Sequence, residues 1–248
     1  MSAFKGWQST RRNKMFAGFP NINFIPSNYV LGFPGCIALF DPKVGLNTYT
    51  DTNPITSWID QVGKFSFNSS GSGSNPTYNA ADANFSNNPS INFTASNANL
   101  ISAVPIGLAA NFTILFAAYS QSFGSSNSLL RTSTVSTSPR LSTGGTVSGN
   151  TGIGIYSSPG GALLASTVED TAPHISAISN NDIIVDGINV ASGSCPSYGF
   201  TMLGTLASGI NQSSLLGALG FLAFFNMSFT SADLIRLVDN LNSEIPTF

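Results

Sequence analysis

Between Cys36 and Phe225 the chain is punctuated every few residues by clusters of Gly, Ser, Asn and Pro, and the runs between them are short. Runs of this length, apolar or alternating, are too brief for most helices and read as strands joined by turns, the pattern of an all-β sandwich or barrel. The candidate strands are "CIALF", "ITSWID", "SINFT", "NFTILFAAYS", "SLLRTS", "PRLSTG", "GIGIYSS", "HISAIS", "DIIVDG", "INVASG", "TMLGTLA" and "LGFLAFF". In "NFTILFAAYS" almost every position is apolar or small, which predicts a strand covered on both faces. "DIIVDGINVASG" predicts a hairpin whose Asp186-Gly187 pair supplies the positive-φ turn. No repeat of fixed period occurs, and the Gly/Ser-rich "NSSGSGSNP" reads as a loop inside one domain.

The C-terminus breaks the pattern. "LLGALGFLAFF" is eleven residues long with two glycines inside, well short of the roughly 18 apolar residues that a bilayer span needs. It is followed by "NMSFTSADLIRLVDNLNSE", in which Thr230 or Ser231 can cap a helix and Leu234, Leu237, Val238 and Leu241 recur at helical spacing. Asp233 falls in the first turn, where the helix dipole favours an acid. The expectation is a buried strand, a turn and one short amphipathic helix lying on the sandwich.

Only 8% of the 248 residues are Asp, Glu, Lys or Arg, against about 25% in typical soluble domains, while 42% are hydrophobic. A core is affordable, and the exposed surface must be wetted by hydroxyls and amides, which suits close packing in an assembly. The net charge of −2 argues against nucleic acid as the main partner, because phosphate binding needs a concentrated basic face. Four basic residues, Lys5, Arg11, Arg12 and Lys14, do cluster at the N-terminus, where a solubilised or partner-docked tail is the simpler reading. Two cysteines, Cys36 and Cys195, suit neither a disulfide-dense scaffold nor a zinc site; a single disulfide and two free thiols are both open. No secretory signal is expected from "MSAFKGWQST".

Residues 1–34 are expected to form an extended arm and residues 35–248 the sandwich. The arm places Pro20, Pro26 and Pro34 among Phe16, Phe19, Phe24, Tyr29 and Phe33, so its backbone avoids the helical region while its rings recur with little charge between them. Such a segment reads as a strap for a groove on this subunit or a neighbour, with Trp7, Arg11, Arg12, Phe16, Phe19, Phe24 and Tyr29 as the partner-binding candidates.

The closing segment "GALGFLAFFNMSFTSADLIRLVDNLNSE" resembles the end of concanavalin A-like (laminin G-type) jelly rolls. Further matches follow in family order: "IALFDP", "ITSWIDQVG", "NPTYN", "NPSINFTASNANLIS", "NFTILFAAYS", "HISAIS", "DIIVDGINV" and "TMLG", covering roughly residues 36–245. The resemblance implies a concanavalin A-like jelly-roll sandwich. Its "W-x-D-Q-x-G" segment is similar to domains of tailed-phage virion proteins. That implies a non-enzymatic structural protein of the virion surface, made in the host cytoplasm. Its partners would be other virion proteins and copies of itself, in a homo-oligomer, with no nucleic acid or membrane. Capsid decoration through the arm is favoured over tail placement, since the chain holds one domain and no shaft. The alternative is a carbohydrate-binding, lectin-like domain of a tail fibre or receptor-binding protein, because the same fold serves lectins and glycoside hydrolases.

Catalytic signals are sparse. A retaining glycosidase on this scaffold needs two carboxylates about 5 Å apart, usually presented as E-x-D-x-x-E or E-x-D-x-E; that motif is absent, the only glutamates are Glu169 and Glu244, and Glu169-Asp170 reads as a solvated loop pair. His174 is the sole histidine, opens "HISAIS" and reads as a strand-edge packing residue. No nucleophile elbow or phosphate-binding loop appears. The candidate glycan set is Trp58, Asp60 and Gln61, an aromatic ring with polar side chains beside it. Calcium could be held by oxygens of Asp51–Asn53 or Asp82–Asn88, although no cofactor is required. The resemblance weighs against the glycan set: in that pattern the Trp segment packs the sandwich edge and Asp60 bonds to turn amides.

Overall fold

The structure is a computed structural model that describes residues 30–71, 74–94, 98–107, 111–121, 127–132, 140–144, 152–156, 162–165, 171–195, 199–204 and 216–244. It is an all-β sandwich of two eight-stranded antiparallel sheets with a C-terminal helix. One sheet orders its strands β14 (Ile188–Ser192), β13 (Asp182–Val185), β12 (His174–Ser179), β7 (Thr113–Ser120), β16 (Gly217–Phe225), β5 (Asn88–Phe93) and β4 (Thr77–Asp82), with β1 (Cys36–Phe40) also pairing to β16. The other runs β11 (Ala162–Ala165), β10 (Ile153–Tyr156), β9 (Arg140–Gly144), β8 (Asn127–Arg131), β15 (Gly199–Gly204), β6 (Asn99–Gly107), β3 (Ser66–Ser69) and β2 (Ser57–Ile59).

The apolar run that begins like a membrane segment is β16, a central strand paired with β7 along its length. Both of its faces are buried, for different reasons. Leu219, Leu222 and Phe224 enter the core between the sheets, where Phe116, Phe93, Trp58, Phe67 and Phe200 also lie. Ala218, Phe221, Ala223 and Phe225 point to the other side, into a second apolar cluster that also holds Phe33, Phe85, Phe229 and the leucines of the helix. A register shift between Leu219 and Phe221 accommodates Gly220. A Cβ at Gly220 would stand 3.1 Å from the Phe85 ring, so the glycine lets that ring approach the strand closely. β7 alternates the same way, with Ile114, Phe116 and Ala118 inward and Leu115, Ala117 and Tyr119 outward. A strand covered on both faces needs no polar face, which is why these two segments are nearly continuous in hydrophobicity.

The helix α1 (Ser231–Glu244) packs on β12, β13 and β14. Thr230 caps it: its Oγ1 accepts from the Asp233 amide at 3.2 Å and donates to the Asp233 carboxylate at 2.7 Å. Leu234, Leu237, Val238 and Leu241 are all buried against the sheet. Each contributes about 1.5–3 kcal/mol relative to an exposed side chain. Among the described residues no helix is long and apolar enough to cross a membrane.

Val30 and Phe33, within the segment expected to form the arm, are buried in this same layer; Phe33 meets Phe229 edge to face at 6.1 Å. Trp7, Arg11, Arg12, Phe16, Phe19, Phe24 and Tyr29 lie outside the described residues.

Candidate functional site

The segment from β2 to β3 carries the ring and the carboxylate of the candidate glycan set. The structure turns both inward. Trp58 is fully buried, stacked edge to face on Phe40 at 5.3 Å, and its indole Nε1 donates to the carbonyls of Asp41 and Val44, both at 3.3 Å. A sugar ring has no face of it to stack on. Asp60, 3% exposed, accepts four backbone amides: Val62 at 2.7 Å and Gly63 at 3.1 Å on Oδ1, Lys64 at 2.9 Å and Phe65 at 2.5 Å on Oδ2. Gln61 is half-buried, and its backbone amide donates to the Leu39 carbonyl at 2.7 Å, docking the turn on β1. Trp58, Asp60 and Gln61 are therefore a core ring, a turn clamp and a strand contact. The glycan set read from the sequence is corrected by this burial.

The candidate calcium loops are likewise spent on backbone. Asp82 caps the turn Ala83–Phe85, with Oδ1 accepting from the Asn84 amide at 2.9 Å and Oδ2 from the Ser90 hydroxyl at 2.7 Å. Asp51 accepts from the Ala80 amide at 3.0 Å. Among the described residues no three of His, Cys, Asp and Glu gather as metal ligands would.

His174 has a partner that its sequence context did not reveal. Its Nδ1 lies 2.5 Å from Asp186 Oδ2, while Oδ1 of the same carboxylate accepts the Ile175 amide at 3.0 Å. Asp186 adopts φ +48° and Gly187 φ +83°, the positive-φ turn expected of this hairpin, and the carboxylate so presented locks the turn onto β12. On the next turn Asp182 accepts from Ser192 at 2.7 Å, Asn189 at 3.1 Å and Ser231 at 2.7 Å, joining β13, β14 and the start of α1. Partial burial pushes its carboxyl upward, but these donors outweigh that and hold it below the usual range. Glu169 and Asp170 lie outside the described residues.

Cys36 and Cys195 are not joined in a disulfide. Burial pushes the Cys36 thiol up to about 11 and that of Cys195 up to about 12, the opposite of the lowering that activates a thiolate. A shallow depression of about 20 Å³, open to solvent, lies over Phe85, Ala117, Gly220 and Phe221, with Asp41, Lys43 and Asn88 also lining it. The Lys43 ammonium there is bound to Asn88 Oδ1 at 2.9 Å, so the feature is an apolar dimple with a tied rim.

One feature was missed in the sequence. In "LNTYTDTNP", Tyr49 keeps 50% of its surface exposed while being held at two points. Its hydroxyl accepts from the Leu46 amide at 3.2 Å, and its ring meets that of Tyr78 at 5.8 Å and 89°. The loop is stitched to the free edge of β4: the Thr52 amide donates to Tyr78 at 2.8 Å, the Tyr78 amide to Asn53 at 3.0 Å and the Ile55 amide to Pro76 at 2.7 Å. Thr52 sits at φ +63°, unfavourable for a β-branched side chain. An aromatic ring embedded in a Thr/Asp/Asn run is the signal that could have found it.

No family model and no curated protein matches the sequence. Solved structures do match in fold. Domain 4 of a GH43 extracellular arabinanase from Geobacillus stearothermophilus, in complex with arabinotriose, aligns with a TM-score of 0.55 at 11% identity, covering 76% of this chain and all of that domain. Trypanosoma rangeli sialidase in complex with sialic acid gives 0.54 at 10% identity, over 97% of this chain but 38% of the sialidase. The binding domain of Paraclostridial mosquitocidal protein 1 gives 0.50 at 10% identity, over 84% of this chain and 52% of the other. At these identities the likeness is one of β-sandwich architecture.

Proposed function

We propose that this chain is a non-catalytic carbohydrate-recognition module built on a concanavalin A-like jelly roll. The observation that carries the reading is the alignment over the whole of an arabinanase domain that holds arabinotriose. The described aspartates support the non-catalytic part: Asp51, Asp60, Asp82, Asp182 and Asp186 spend oxygens on turns, caps and hairpins. The test is a glycan array that includes arabinotriose, run with calcium and with a chelator, beside a hydrolysis assay on the bound sugars. Binding that survives chelation, without turnover, is expected. An array without a hit, or measurable hydrolysis, contradicts the reading.

A second reading is a structural protein of a phage virion surface, docked through residues 1–34 to capsid or tail proteins and to copies of itself. Two observations favour it: the low charge of the chain, and the burial of Val30 and Phe33, which seats the root of the arm firmly on the sandwich. Deleting residues 1–29 would then abolish incorporation into particles. Full occupancy of the shortened chain would remove the anchoring role.

A further inference from the structure

The rim beside β4 carries a ring that the core holds but does not bury. We propose that Tyr49, with Asp51 beside it, is the stacking platform of a binding site for neutral oligosaccharides. The assignment rests on the recognition reading above and gives it a place. Trp58 cannot serve, being fully buried, whereas half of Tyr49 faces solvent.

Three properties make this ring a platform. An edge-to-face contact with Tyr78 occupies at most one face of Tyr49, so the other is clear of that neighbour. The ring is also fixed in advance: its hydroxyl is held by the Leu46 amide, and the loop that bears it pairs with β4 on both sides of Tyr78. A ligand meeting a ring already in place loses less freedom on binding than one that must order a mobile side chain. Finally, Thr50, Asp51, Thr52 and Asn53, which follow the ring directly in the chain, are all exposed. Asp51 uses Oδ1 for the Ala80 amide, which fixes the carboxylate, and Oδ2 has no protein partner among the described residues. A fixed ring beside a fixed acceptor is what the apolar face and the hydroxyls of a sugar require together.

Charge sets the class of sugar. Asp51 is the only ionisable acid or base among residues 46–56 and 76–81, tyrosine phenols aside. With no cation there, an acidic sugar would be repelled, and a neutral one can donate its hydroxyls to the carboxylate. The strained Thr52 belongs to the same loop, where the hydrogen bonds to β4 hold it in place.

The test compares wild-type protein with Tyr49→Ala, Tyr49→Phe and Asp51→Asn, by calorimetry against arabinotriose and every neutral oligosaccharide that scores on the array, with 3′-sialyllactose as the acidic probe. Tyr49→Ala is expected to weaken binding at least about tenfold, as loss of a central aromatic anchor does, and Tyr49→Phe by less than about threefold. Amide shifts on the wild-type protein provide a second readout that needs no variant, and should cluster at residues 47–53 and 78–81. Neutral-sugar binding that persists in Tyr49→Ala, or shifts that fall elsewhere, overturns this site and leaves the recognition reading standing. Equal affinity for 3′-sialyllactose overturns the neutral class, and no binding by the wild-type protein overturns site and reading together.

Discussion

The Asp60 carboxylate receives four amides of the turn that follows it, so its burial is matched by bonds that a neutral side chain cannot all replace. Asp60→Asn keeps one acceptor oxygen and leaves four part-buried amides competing for it, which should cost about 1–3 kcal/mol in urea unfolding. A variant as stable as wild type would show that the clamp is dispensable. Asp182 gives a pH signature. Its folded carboxyl titrates below the ordinary aspartate range, so the stability it adds is complete above the unfolded value and is lost as pH falls through the lower folded one. Wild type should therefore exceed Asp182→Asn in stability at pH 6, with the gap closing below about pH 4; a gap independent of pH would refute the linkage. At this scale the sequence is least legible. Trp58 and Tyr49 are both rings in polar surroundings, and only the tertiary structure decides that the first is fully buried and the second half-exposed.

Most strands were legible, and their failures are instructive. β7, β16 and the β13–β14 hairpin follow from hydrophobicity and from the Asp186-Gly187 turn. β6 escaped because it contains Pro105, which reads as a breaker; the sheet absorbs it by a bulge that sets Ser102 to Pro105 opposite Thr201 alone. β3, β4 and β11 are short, and the first two are polar or small in composition, so periodicity had little to act on. The helix was readable to its cap because Thr230, Asp233 and four apolar residues fall at fixed offsets. Its seating on the hairpin was not, since it depends on Gly187. A Cβ there would stand 1.9 Å from Asp239 Oδ1, and φ is +83°. Gly187→Ala should destabilise by more than about 1 kcal/mol. Adding Asp239→Ser should recover the steric part and leave the backbone part, measured as a double-mutant cycle. Strict additivity would mean that helix and hairpin do not touch there.

For the whole molecule, the sandwich explains why so little charge suffices: the strands at the centre of one sheet are hidden on both faces, and polar uncharged residues cover loops and rims. Sequence alone reached the all-β class and the terminal helix, but it directed the search for a site to the buried tryptophan. β7 and β16 are the strands buried on both faces, and the proposed sugar site lies on a rim loop paired with the edge strand β4. Everything depends on Gly217–Phe225 being an inner strand of a folded domain in water. Native-state hydrogen exchange without detergent measures that directly. The account predicts that amides of Thr113–Ser120 and Gly217–Phe225 are the slowest in the chain and exchange only with global unfolding. Exchange of Gly217–Phe225 as fast as at the edge strands β4 and β14, or protection only in the presence of micelles, would contradict it.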